Sequence, residues 1–138
     1  MLLNTQTRKW SIGPEMNNTR HAHGCTTIPS TEQNNAQIIV VGGLLAESTV
    51  EILDVSSRSW FHVEKIPLEN LKYNSLTASN SPEYKLYSIG GAYSRNFFGQ
   101  AIYGLTCSNT WVHVGNLTYG RNSHTSLNVA KQGNPGYS

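Results

Sequence analysis

With 138 residues, 13% of them charged and a formal balance of +2, the chain can build one core but projects no strong field. Its lysines and arginines scatter through turns instead of gathering on a stripe, which argues against nucleic acid or an acidic surface as partner. No apolar run approaches a membrane span, and Met1-Leu2-Leu3 leads straight into polar residues. No signal peptide is read there, so the expected compartment is the cytoplasm, with an extracellular setting left open.

In chain order, the pattern predicts the end of one strand, a turn over 5–9 and a second strand from Trp10. Four strands follow over 21–28, 37–42, 48–55 and 59–64, joined by the polar turn 29–36 and the short connection 44–47. A further set is expected over 73–79, 85–89, 100–106 and 110–115, and 123–129 opens another strand. Residues 130–138 have no apolar period and should fray. No helix is predicted, because no apolar set recurs at three and four residues.

The chain repeats itself. Ile38-Ile39-Val40-Val41-Gly42-Gly43 returns as Leu86-Tyr87-Ser88-Ile89-Gly90-Gly91, a buried-strand pattern closed by residues that tolerate positive φ. Trp10, Trp60 and Trp111 keep the same period of about 50 residues, each opening a β-prone segment. Ten residues after the first and third tryptophans stands Arg-x-x-His, as Arg20 to His23 and Arg121 to His124, each preceded by an apolar residue, Met16 or Leu117. In the middle copy Leu68, Lys72 and Ser75 are read at these places after a two-residue insertion. Before the tryptophans, Asn4-x-x-Thr7 rhymes with Asp54-x-x-Ser57, and more loosely with Leu105-x-x-Ser108.

These residues resemble the kelch repeat. A strand ending in Gly-Gly, an Asp-x-x-Thr-x-x-Trp-like turn and an Arg-x-x-His-like approach to the next strand are similar to the blades of a kelch β-propeller. The resemblance runs from Asn4 to about Val129, with departures at Lys72, Ser75 and Leu105. It implies an all-β chain forming an incomplete arc of four-stranded antiparallel blades. Residues 1–12 would end one blade, 21–64 and 73–115 would be complete blades, and 123–129 would be the first strand of the next. An arc leaves two apolar blade faces bare, so the expectation is a piece of a longer protein, or a chain that associates through those faces. The family implies a protein-binding role, such as substrate recognition in a ubiquitin-ligase adaptor or scaffolding on actin. The alternative is a piece of a sugar-active propeller enzyme whose catalytic residues lie elsewhere.

The residues themselves point away from catalysis. Trp10, Trp60 and Trp111 could form a stacking platform, but their fixed place in a repeat favours packing. Arg20 and Arg121 could clamp a carboxylate, yet recurrence favours a service to each unit through backbone or a loop carboxylate. His21, His23, His62, His113 and His124 include no cluster at metal-ligand spacing, so no metal or cofactor is expected. No strand-turn-helix elbow presents a serine nucleophile. Cys25 and Cys107 are expected to be unpaired and packed as small apolar residues. The two Asn-x-Thr triplets, from Asn17 and Asn116, are no more than an Asn-, Ser- and Thr-rich chain yields by chance.

Recognition remains. The connection from Ala92 to Gln100 is longer than its counterpart at 44–47 and carries Tyr93, Arg95, Phe97 and Phe98, residue types that dominate interface energetics. These four are the predicted partner-binding residues, with 64–70 as a polar surround. The competing reading has Phe97 and Phe98 folded back onto a neighbouring blade that the chain does not contain, or beginning the next strand early.

Overall fold

The computed structural model describes residues 1–30, 35–94 and 97–129, and among them there is no helix. Among the described residues twelve strands form four antiparallel sheets, none of them closed. A two-stranded ribbon, β1 (Leu2–Asn4) and β2 (Lys9–Ser11), precedes the meander β3 (Gly24–Ile28), β4 (Gln37–Val41), β5 (Val50–Asp54) and β6 (Ser59–Val63). The second four-stranded sheet has the order β12-β11-β8-β7, built from β7 (Ser75–Ala78), β8 (Tyr84–Ile89), β11 (Ala101–Thr106) and β12 (Trp111–Asn116). A small hairpin, β9 (Ala92–Ser94) with β10 (Phe97–Phe98), is inserted between β8 and β11.

The core is the layer between the two large sheets. Ile39, Val41, Val50 and Ile52 from the first face Leu76, Leu86, Leu105 and Trp111 from the second, with Ile66 and Leu71 closing the layer. Residues of a strand alternate between faces, so Ile38 and Val40 lie on the other side of β4, where they line an open cleft. This is why the run Ile38–Val41 is apolar throughout: one face is covered by a sheet and the other is shaped for a cover as well.

Corresponding backbone contacts recur from unit to unit. The Gly43 N–H donates to the Leu71 carbonyl at 2.8 Å, and the Gly91 N–H to the Arg121 carbonyl at 2.9 Å. His21 bridges Leu44 as Lys72 bridges Ala92. The Tyr73 N–H donates to the Ala22 carbonyl at 2.7 Å, and the Ser123 N–H to the Tyr73 carbonyl at 2.9 Å. Ala22, Tyr73 and Ser123 all take positive φ, at 56°, 55° and 49°. The counterparts are therefore Arg20, Leu71 and Arg121, followed by His23, Asn74 and His124. This corrects the alignment read from sequence, which placed Lys72 and Ser75 there; the insertion is one residue, and Leu71 supplies the buried contact.

The same geometry shortens two expected strands. Left-handed residues at Ala22 and Tyr73 break extended pairing, so the strands begin at Gly24 and Ser75 instead of 21 and 73. The strand expected over 123–129 joins no ladder among the described residues. It lies beside β7 through side chains, Ser126 to Ser75 at 2.6 Å and the Asn128 amide to the Ala78 carbonyl at 3.0 Å. A first strand needs a second strand alongside it, and none pairs with this one. The fraying expected for 130–138 falls outside the described residues.

Candidate functional site

The hairpin that carries the predicted binding residues is anchored from below. The Gly99 N–H donates to the Gly91 carbonyl at 2.7 Å, and the Arg121 N–H donates to the Gly99 carbonyl at 3.2 Å. Lys72 and Ala92 exchange both backbone bonds, at 3.1 and 2.7 Å. The backbone of residues 117–121 runs so close under the hairpin that a Cβ at Gly120 would overlap the Phe98 carbonyl. Within the connection expected to be a loop, 92–94 and 97–98 thus pair as strands on a base held by backbone hydrogen bonds.

On this base the aromatic residues divide by role. Tyr93 is half-buried against the core, its hydroxyl enclosed without a partner above Gly99, and burial pushes that hydroxyl's pKa up. Phe97 stacks on Tyr93 with ring centroids 5.7 Å apart. Phe97 and Phe98 are 60% and 50% exposed, and β11 starts only at Ala101. They do not begin the following strand early, and among the described residues no side chain covers them as core. Arg95, the fourth predicted residue, lies outside the described residues. Of the segment 64–70, expected as a polar surround, Glu64, Lys65, Glu69 and Asn70 are exposed, while Ile66 is fully buried in the core and Leu68 packs against it. The linker crosses the open end of the layer between the sheets, where an apolar side chain is drawn inward.

The remaining motif residues bind the units to one another. Trp111 is 8% exposed and its indole N–H donates to the Glu64 carbonyl at 3.1 Å; Trp60 makes the equivalent bond to the Pro14 carbonyl, also at 3.1 Å. Trp10 is 64% exposed. Burial at this position thus follows whether a preceding unit is there to pack against. Arg20 is buried and its guanidinium donates to the carbonyls of Gly42 and Thr49 at 2.9 and 3.2 Å and forms an ion pair with Glu51. Glu51 also accepts the Asn17 and Asn18 amides at 2.7 and 3.1 Å. Burial pushes the Glu51 carboxyl up, but Arg20 and these amides outweigh it and hold the group below its ordinary value. Sequence reasoning missed Glu51, since the partner foreseen for Arg20 was backbone or a loop carboxylate and this one sits in mid-strand. Arg121 is exposed, and no described residue stands against it as Glu51 stands against Arg20.

His23 and His124 sit over the glycine pairs: a Cβ on Gly43 would come within 2.9 Å of the His23 Cβ, and one on Gly90 within 2.9 Å of His124 Cε1. Burial, helped by the nearby arginines, lowers both imidazole pKa values below the ordinary 6.5. The folded chain takes up these protons less readily than the unfolded chain. Their contribution to stability is complete above pH 6.5 and is lost as pH falls through the folded values. Melting temperature should therefore drop between pH 7.5 and 5.5, and a His23→Asn, His124→Asn variant, copying Asn74, should flatten that slope; an unchanged slope would contradict the assignment.

Among the described residues no group of histidine, cysteine and carboxylate side chains could hold a metal. His62 and His113 are exposed, and His113 meets the Tyr103 ring edge-on. The cysteines are unpaired and both are exposed, which corrects the expectation that they pack as apolar residues. Cys25 opens onto the uncovered cleft, and Cys107 lies in the β11–β12 turn with its thiol on the Pro82 carbonyl at 3.4 Å. No protein-family model matches the chain, and no curated protein matches it either.

Proposed function

We propose that the chain is an arc of a kelch-type β-propeller and works as a protein-binding module without catalysis of its own. The observation that carries the binding role is the pair of strands β9 and β10, anchored at the base by backbone hydrogen bonds, which displays Phe97 and Phe98 to solvent. The propeller reading is supported by the two four-stranded meanders packed face to face and by backbone contacts that recur at a period of about 50 residues. In such a ring the hairpin would lie on the rim next to the segment that leads into the following unit; here its base is bonded to Lys72 and lies against residues 117–121. Adjacent exposed phenylalanines are of no use to a folded core, and burying them favours a complex at about 25 cal/mol per Å2. Substrate recognition in a ubiquitin-ligase adaptor, or scaffolding, is the role that fits this reading.

The test is a Phe97→Ser, Phe98→Ser double variant. It should melt within a degree or two of the parent, because these rings hold little of the core, and it should lose the protein partner recovered with the parent chain. Early unfolding together with retained binding would place the rings in the core and the site elsewhere.

A further inference from the structure

The cleft beside β4 has a volume of about 680 Å3, with Met16, Ile38, Val40 and Trp60 among its walls. At its floor three buried polar atoms have no partner: Arg20 Nε, Asn18 Oδ1 and His23 Nδ1. Arg20 is 7% exposed and paired with Glu51, so the floor is close to neutral and offers donors and acceptors without net charge. The Arg20 carbonyl accepts no bond among the described residues, whereas its counterparts at Leu71 and Arg121 accept the Gly43 and Gly91 amides.

A second observation lies at the edge of the same cleft. By register Leu3 pairs with Trp10 as Leu53 pairs with Trp60 and Leu105 with Trp111, so β1 stands where β5 and β11 stand in their sheets. β5 is paired on both sides, by β4 and β6, and β11 by β8 and β12. Among the described residues β1 pairs only with β2.

We infer that this cleft and the free edge of β1 together form a receptor for an extended β-hairpin of another chain, its second strand pairing antiparallel with β1 and ending in two glycines over Arg20. Backbone is the chemistry that fits: its carbonyls suit Arg20 Nε, its amides suit Asn18 Oδ1 and the Arg20 carbonyl, and its strand edge suits β1. Glycine is required at the end because the corresponding approach at Gly42 and Gly90 brings the next unit's carbonyl onto the place of a Cβ. A second copy of this chain does not fit as it stands, since both of its Gly-Gly strands are paired internally and their terminal amides are taken. The inference rests on the unit-to-unit geometry and not on the Phe97 and Phe98 surface, so either can fail alone.

The probe is a peptide of residues 73–92, which holds β7, β8, Gly90 and Gly91. Added to the isotope-labelled chain, it should shift the amides of β1 and of residues 18–23, and a Gly90→Val, Gly91→Val peptide should bind at least tenfold more weakly. The same hairpin fused ahead of Met1 through a Gly/Ser linker should slow hydrogen exchange at the outward amides of β1 at least tenfold, and the valine fusion should not. A fused chain that exchanges like the parent overturns the inference, as do shifts confined to the β7–β12 sheet. Self-association of the parent that protects these amides without the hairpin would overturn it in favour of a second copy.

Discussion

Glu51→Ala should lower the stability of the fold by about 3–5 kcal/mol, the range for leaving one member of a buried ion pair uncompensated. Arg20 would keep its charge inside the protein with only two carbonyls and the Thr49 hydroxyl around it, and the Asn17 and Asn18 amides would lose their acceptor. The pair itself is replaceable. In the second unit the same two positions are held by Leu71 and Tyr103, one in the apolar core and the other packed against it. An Arg20→Leu, Glu51→Tyr chain should therefore recover more than half of what Glu51→Ala loses, because two desolvated charges are exchanged for packed surface. Urea midpoints of the three chains decide the matter; a double variant as unstable as Glu51→Ala would show that the charges, and not the volume, hold this linker. Acid gives an independent reading. Glu51 is held below its ordinary value of 4.5, so its contribution is present above that pH and disappears as pH falls through the lower folded value.

The second large effect belongs to the glycine pairs. Gly43 and Gly91 take φ of 100° and 111°, a region closed to valine without strain. A Cβ at Gly43 would lie 2.7 Å from the His21 carbonyl, and one at Gly91 would lie 2.6 Å from Leu71 Cδ1 and 3.0 Å from the Lys72 carbonyl. Backbone cannot easily yield there, because both segments are tied to the residue that follows each glycine: the Leu44 N–H donates to the His21 carbonyl at 2.9 Å and the Ala92 N–H to the Lys72 carbonyl at 2.7 Å. Gly43→Val and Gly91→Val should each cost about 2 kcal/mol or more, through strain and clash together. Unchanged denaturant midpoints for both would refute the account. Gly115, with nothing within 4 Å of its added Cβ, is the internal control and should tolerate alanine.

The ring proposed for this chain bears on both results. If other units cover the cleft beside β4, Arg20 is sealed more deeply and the cost of Glu51→Ala rises. The chain alone carries Trp10 and Ile12 on one side and Leu127 and Val129 on the other, all largely exposed. Surfaces of this kind favour association.

What the sequence determined by itself is what depends on local pattern. Runs of β-prone residues broken by turn residues specify strands, and every strand of the two large sheets lies inside or within one residue of its expected range. Asn4 and Asp54 announce their turns because each carboxyl or amide oxygen accepts amides two or three residues on, a contact that needs no partner from elsewhere. The two glycine pairs were legible because positive φ excludes most other residues. Only the tertiary structure decided the rest. That Leu71 and not Lys72 matches Arg20 depends on which carbonyl meets Gly43, a contact across 28 residues that no local pattern encodes. That 92–94 and 97–98 pair as strands follows from Lys72 and Gly91 holding their base. Trp10, Trp60 and Trp111 occupy one place in one pattern, yet one is exposed, one half-covered and one buried, because burial belongs to the neighbour that packs against a residue and not to the residue.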